Sequence, residues 1–524
     1  MNHAVKKSDL NNDIQTTDHS ALLHGFKLFF VMIGLGFAVC LSGLDNTIIA
    51  SALPKLVSDF NGLNQISWVA IAYLFAETTL LPIYGKLFNI FGGKMTILFC
   101  IFVFELGSLL CAIAQNMTSF IVFRAIAGVG GGGIYVLAEI IVTNIVSAKN
   151  VGKYQGAISA CYAISTIVGP LLGGIFTDQL TWRWCFFINL PLGAITIIAV
   201  IFGLHSTKQT TLFDKILRLD IIGIVIIIVS TICILLSLNW GGNTYAWNSP
   251  IIVVLFCVGI VGYTIFGFVE SFIAIEPIAP PHLFKRLHII SCFLIGFLQG
   301  ISFYSFIIYA PIYFQVVKGF SATTSGMALI PYIFGFAAAA ALTGQLYSHT
   351  NKITYRLVCL IGSVFMIIGF GLITMWNEKT SSIELIGSMV MVGFGAGIIA
   401  QALLLCCQES IEQKDIASAT SLVLFSVSFG GVFGNAIIGN IFNNNLIRSL
   451  NSIILPQNFT VQSIYSVQFL PVRSRDLVIH DYTIALQSAF IIYIPICVLS
   501  LILSLLLGNI KRSYDEEIIL NPSN

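Results

Sequence analysis

The distribution of charge along this chain restricts its fold more than any other feature. Of 25 Lys and Arg, all but Arg124 fall between, beyond or at the ends of long apolar stretches, while Asp45, Glu77, Glu105 and Glu139 lie inside them. A charge at the centre of a bilayer costs roughly 2.5–3.5 kcal/mol on insertion scales, so acids and a base retained there require a function. They are the first place to look for a proton or cation pathway.

Hydrophobic residues make up 57% of the chain and charged residues 9%, against about 25% charged in an average globular protein. The chain therefore reads as an all-α polytopic membrane protein, with the lipid bilayer as its first partner. About 20 helical residues cross the ~30 Å of hydrocarbon. Fourteen such stretches are expected, at about 27–49, 66–87, 95–115, 118–141, 154–176, 184–204, 219–239, 250–272, 289–314, 322–346, 356–376, 382–405, 416–439 and 484–508. With the N-terminus inside, seventeen basic residues fall on inner segments and seven on outer loops. The positive-inside rule then puts both termini in the cytoplasm.

The first and last six spans form two bundles, 27–204 and 289–508, joined by a 205–288 linker that carries two extra spans. Residues 1–26 and 509–524 read as cytoplasmic tails, and 440–483 as a long outer loop holding Asn458, a glycosylation candidate. No signal-peptide core precedes the first span, which is expected to act as its own insertion signal. Two bundles around a midplane site are the layout of alternating access. No P-loop sequence is present, so transport must be gradient-driven or passive. The cysteines lie in or beside apolar stretches and the histidines lack metal-ligand spacing, so neither a disulfide framework nor a metal site is expected. Scattered basic residues argue against a nucleic-acid partner. No cofactor and no enzymatic activity are expected, and a monomer is expected.

Several motifs carry the candidate chemistry. Span 1 ends in Leu44-Asp45-Asn46-Thr47, continuing to Leu53-Pro54, and span 4 carries Arg124-Ala125-Ile126-Ala127-Gly128-Val129-Gly130. An arginine holds a carboxylate ionised until the two are separated, which makes such a pair a proton switch. Glu139 lies fifteen residues beyond Arg124, about 22 Å along one helix, so its partner must be Asp45, Glu77 or Glu105. Glu139 itself is expected to be solvated near the cytoplasmic interface, and Glu105 to be either a proton carrier or a structural acid. On span 2, Tyr73 and Glu77 share a face at i and i+4, an aromatic beside a carboxylate that suits an organic cation. Gly85-Lys86-Leu87-Phe88-Asn89-Ile90-Phe91-Gly92-Gly93-Lys94 joins spans 2 and 3. Span 5 contains Gly169-Pro170 and Gly173-Gly174, where proline kinks the helix and glycines offer a flat face. The Thr181–Gly193 stretch, which includes Trp182, Arg183 and Asn189, is explained by an aromatic belt with one anchoring arginine.

In this order the motifs resemble the fourteen-span drug:proton antiporters of the major facilitator superfamily, in a fungal version that includes vacuolar basic amino acid carriers. The resemblance implies the major facilitator fold, with Asp45 and Arg124 in proton coupling, supported by Glu77 and Glu105. It extends to Gln315 and Gln401, which join Tyr73 and Glu77 as expected substrate-binding residues. Gly85, Asn89, Gly92, Lys94, Gly128, Gly169, Pro170, Gly173 and Gly174 become conformational motifs, and the span 5 face is expected to seal the cytoplasmic side. Asn89 stands where the family has an acid, and Ile90 and Gly93 where it has arginines, so the charge latch is expected to be weakened. The implied activity is proton-coupled export of small organic, cationic or basic molecules, of multidrug type, at the plasma or vacuolar membrane. Basic amino acid or siderophore transport is the alternative, and a non-transporting nutrient sensor is a rival from another class.

Overall fold

The computed structural model describes residues 23–60, 65–204, 215, 218–242, 244–349, 353–450 and 472–508. Within them the chain is helical, with one isolated bridge between Gly241 and Tyr245. A backbone crossing hydrocarbon must satisfy its own hydrogen bonds, and the helix does so segment by segment. Fourteen helices are long and apolar enough to cross: Gly25–Ile49, Trp68–Phe91, Gly93–Ile113, Met117–Ile145, Ala148–Gln179, Trp184–Gly203, Ile221–Trp240, Pro250–Phe272, Leu287–Val317, Thr323–His349, Tyr355–Ile373, Ser382–Glu409, Gln413–Leu450 and Ser474–Ser504. These are spans 1 to 14. Polar caps start several of them: Asn116 accepts from the Ser119 amide, Asp220 from Gly223, and Ser381 with Glu384 completes a capping box.

Span 1 packs on spans 5 and 6, and span 4 on spans 2 and 3. Span 13 packs on span 9, and span 12 on spans 10 and 11. The two halves meet along two seams, span 2 against span 13 and span 5 against span 10. Spans 7 and 8 pack on each other, and span 7 lies beside the first seam, where Phe75, Leu235 and Val432 form one apolar cluster. Only 17% of the most apolar window of span 8 is buried, which leaves it facing lipid. An even number of spans brings both ends of the array out on one face, called here the terminal side. The Leu23 amide donates to the Ile145 carbonyl there at 2.9 Å.

The helices overrun the apolar stretches. The first continues from Gly25 to Phe60, and span 13 reaches Leu450 where the sequence suggested an end near 439. A helix resumes at Val472, so much of the expected 440–483 loop is helical. Phe442, Leu446 and Leu450 are buried on that extension, with Phe442 against Tyr482 at 6.0 Å between centroids. Partner contacts, not lipid, hold these outer turns. Asn458 lies outside the described residues.

Candidate functional site

Asp45 lies in the middle of a helix rather than at a membrane surface, and it is fully buried. Arg124 Nη1 approaches its Oδ2 at 2.5 Å, with both side chains almost wholly inaccessible. Arg124 Nε also donates to the Val69 carbonyl at 3.3 Å, and its guanidinium stands 4.4 Å from the centroid of the Tyr73 ring. Asn189 Nδ2 donates to Asp45 Oδ1 at 3.4 Å and to Ser108 Oγ at 2.7 Å. Both oxygens of Asp45 thus have a donor. An ion pair in this setting survives because its remaining lone pairs and protons are occupied.

The glycines of span 4 make this geometry possible. A methyl group at Gly128 would strike the Tyr73 carbonyl, one at Gly131 the Tyr73 hydroxyl, and one at Gly132 the Glu77 side chain. Gly130 similarly meets the backbone of Phe104 on span 3. Small residues here bring backbones together and leave side-chain room for span 2.

Glu77 has a different setting. It is half-buried, its Oε2 reached by Asn46 Nδ2 at 3.5 Å; Arg124 acts on it electrostatically, but no lysine or arginine forms an ion pair with it among the described residues. Tyr162 of span 5 and Tyr304 of span 9 lie within electrostatic reach of it, and Tyr135 stacks near Tyr162 at 4.9 Å between centroids. These half-buried groups come from both halves. Tyr73 does not join them: it is fully buried and occupied by Arg124. Tyr73 and Glu77 share one face of span 2, and both pack on the glycines of span 4.

The other expected site residues are dispersed. Both carboxylate oxygens of Glu105 are buried without a hydrogen-bond partner, and a methyl group at Gly193 would collide with them. Gln315 sits in a π-turn after Pro311 and donates to Ser325 at 3.4 Å. It lies eleven residues beyond Tyr304, roughly 16 Å along the helix at 1.5 Å per residue, toward the face opposite the termini. Gln401 is buried in span 12, its amide nitrogen without a partner. Glu139, expected in solvent, is fully buried, with Gln155 and Ser159 of span 5 bonded to it.

Span 5 departs from its expected task as well. Gly169 and Gly173 meet Thr47 and Ile48 of span 1, within one bundle, and Ser51 Oγ donates to the Pro170 carbonyl at 2.8 Å. Gly174 faces open space. The terminal side is sealed by other glycines: Gly152 against the Gly344 backbone, and Gly85 against the Ala417 carbonyl. Gln155 Nε2 bridges the halves to Gln408 Oε1 at 3.1 Å.

The loop motif is held by a charge network that the sequence did not announce. Gly92 breaks the helix with φ of 84°, and Asn89 Nδ2 donates to the Lys414 carbonyl at 3.2 Å. Lys94 caps the end of span 6 through the Ile201 and Leu204 carbonyls at 2.6 and 2.9 Å. Glu276, from the segment between spans 8 and 9, binds Lys86 at 2.8 Å and Arg218 at 2.5 Å. Burial alone would push the Glu276 carboxyl up, but hydrogen bonds from Arg218 and Lys86 outweigh it and hold it below the ordinary Glu value. His282 and Asp415 pair nearby at 2.7 Å. The Thr181–Gly193 turn also carries more than an aromatic belt. Arg183 reaches the Ala112 and Ala114 carbonyls, Trp182 reaches Asp59 at 2.8 Å, and Asn189 serves Asp45.

The comparisons agree with this architecture. The sequence model of the Major Facilitator Superfamily matches residues 35–435. The chain is 35% identical over 451 residues to the MFS-type efflux pump MFS1 of Arthroderma benhamiae, covering 85% of this chain and 83% of that one. It is 35% identical to the multidrug transporter protein MdtP of Bacillus subtilis, covering 82% and 79%, and 35% identical to the rubrofusarin-specific efflux pump aurT of Gibberella zeae, covering 83% and 80%. The crystal structure of the human organic anion transporter MFSD10 (TETRAN) shares the fold with a TM-score of 0.61 at 12% identity, over 92% of this chain and all of that one. Two six-span halves, a match over most of the length and relatives named as efflux pumps lead to one assignment: the chain belongs to the Major Facilitator Superfamily of membrane transporters.

Proposed function

We propose that this transporter exports a small organic cation or basic molecule in exchange for protons, by alternating access. The observation that carries the reading is Glu77, an acid without an ion-pair partner, bonded to Asn46 and within electrostatic reach of Tyr162 of its own half and Tyr304 of the other. An ammonium group placed there gains the carboxylate and ring faces worth ~0.5–2 kcal/mol each. A proton on Glu77 removes the charge that holds it. The two ligands therefore compete for one carboxylate, and competition is sufficient for exchange. Asp45 is committed to Arg124 and Asn189, so its part is to couple protonation to the position of span 4 against spans 1 and 6. The terminal side, sealed in this structure, is the cytoplasmic side in this reading, and cargo leaves toward the opposite face.

The test is uptake of tetraphenylphosphonium, ethidium, arginine and lysine into proteoliposomes, with and without an inside-acid gradient. Gradient-dependent accumulation of one of them, lost in Glu77→Gln, is expected. Equal uptake with and without the gradient would overturn proton exchange. Accumulation that survives Glu77→Gln would remove Glu77 from the site.

A further inference from the structure

Glu139 takes no part in the exchange site, yet it is buried as completely as Asp45. The groups that face it are neutral. On its own helix it meets Tyr135, and from span 5 Ser159 Oγ donates to Oε1 at 3.3 Å. Gln155 of span 5 donates through Nε2 to the Glu139 carbonyl at 3.0 Å and to Gln408 Oε1 of span 12 at 3.1 Å. Gln408 Nε2 in turn donates to Thr420 of span 13 at 3.0 Å. Tyr304 of span 9 reaches Tyr135 only electrostatically. No lysine, arginine or histidine acts on Glu139 among the described residues. An ionised carboxylate in such surroundings costs several kcal/mol with no base to offset it.

The glutamine bridge across the two halves thus lies over a buried acid. One turn away from Gln155, Gly152 meets the Gly344 backbone, so separating the halves on the terminal side breaks the Gln155–Gln408 bond. The same movement admits water to Glu139. We propose that Glu139 is a second proton-binding site, which holds a proton while the terminal side is closed and releases it when that side opens. Closed and open states then differ by one bound proton. Raising the pH favours the state that has lost it, so opening increases with pH. The proposal deepens the exchange reading and rests on it, because it places a proton-release step on the side from which cargo is taken up.

Hydrogen–deuterium exchange of the purified protein from pH 5 to 9 tests this without a substrate. The readout is protection of peptides covering 150–160 and 405–420, corrected for the intrinsic exchange rate. In the wild type the opening constant is expected to rise with pH, up to about tenfold per unit for one proton. In Glu139→Gln that slope is expected to vanish. Glu139→Met, of similar length and without a titrating group, is expected to be flat as well, and Glu139→Asp to keep the slope. An unchanged slope in Glu139→Gln or Glu139→Met, or no slope in the wild type, overturns the proposal and leaves Glu77 exchange standing. Transport that ignores a pH gradient overturns the exchange reading whatever the gate does.

Discussion

Asp45 and Arg124 illustrate how a membrane interior makes two residues depend on each other. Removing one partner of a buried pair leaves an uncompensated charge and costs about 3–5 kcal/mol, whereas removing both is far less damaging. Arg124→Ala is therefore expected to abolish gradient-driven uptake and to lower the melting temperature in detergent. Asp45→Asn with Arg124→Gln is expected to restore the melting temperature without restoring uptake, and full uptake in either single variant would remove the pair from coupling. Asn189 holds the second oxygen of Asp45 and is the residue that sequence reasoning set aside as part of a turn. Nothing in its neighbours signals the contact, because Ser108 and Asp45 reach it from spans 3 and 1. Asn189→Leu is expected to slow uptake by roughly ten- to a hundredfold, the equivalent of one hydrogen bond to a charged group, with the protein still folded. The charge pattern did name three candidates for the partner of Arg124. Only the approach of spans 1 and 4 selected Asp45 over Glu77 and Glu105.

At the level of elements, glycine decides which helices touch. Gly344 and Gly152 bring spans 10 and 5 to backbone contact on the terminal side. Gly344→Val is expected to prevent that closure, so the variant inserts and folds but does not cycle. Its span 5 and span 10 peptides would exchange hydrogen faster than in the wild type, and unchanged protection would show that closure lies elsewhere. The segment between spans 8 and 9 supplies a different restraint. Because the folded Glu276 carboxyl sits below its unfolded value, near 4.3, the stability it adds is present above pH ~4.3 and lost as pH falls through the lower folded value. Glu276→Gln is expected to lose about 1–3 kcal/mol at pH 7, between the worth of exposed and buried pairs. The gap between variant and wild type should close only below pH ~4.3, which thermal unfolding followed from pH 7 down to about pH 3 would show. The loop motif did reveal its glycines, and Gly92 breaks the helix as its position suggested. What replaced the missing charges came from Arg218 and Glu276, about 130 and 190 positions beyond Lys86, beyond the reach of any local pattern.

For the whole molecule, fourteen spans put both ends of the described array on one face, and the bias of basic residues leads us to propose that this face is cytoplasmic. Reporter tags at either end are expected to be reachable only after permeabilising cells, and reactivity of one tag in sealed cells would contradict the topology. The spans were legible because each must satisfy its backbone within lipid, a demand that leaves about 20 apolar residues in a row. Helix ends were less so. Span 13 continues to Leu450 because neighbouring helices cover its last turns, and hydropathy measures lipid, not neighbours. The sequence by itself determined the number and apolar cores of the spans, and the short set of charges that cannot be there for solubility. The tertiary structure alone decided which of those charges meet. It paired Asp45 with Arg124, left Glu77 half-buried beside Asn46, and enclosed Glu139 beneath a glutamine bridge. The physical reason is that burial and pairing are properties of several helices at once, while a single helix specifies only the face on which a residue sits.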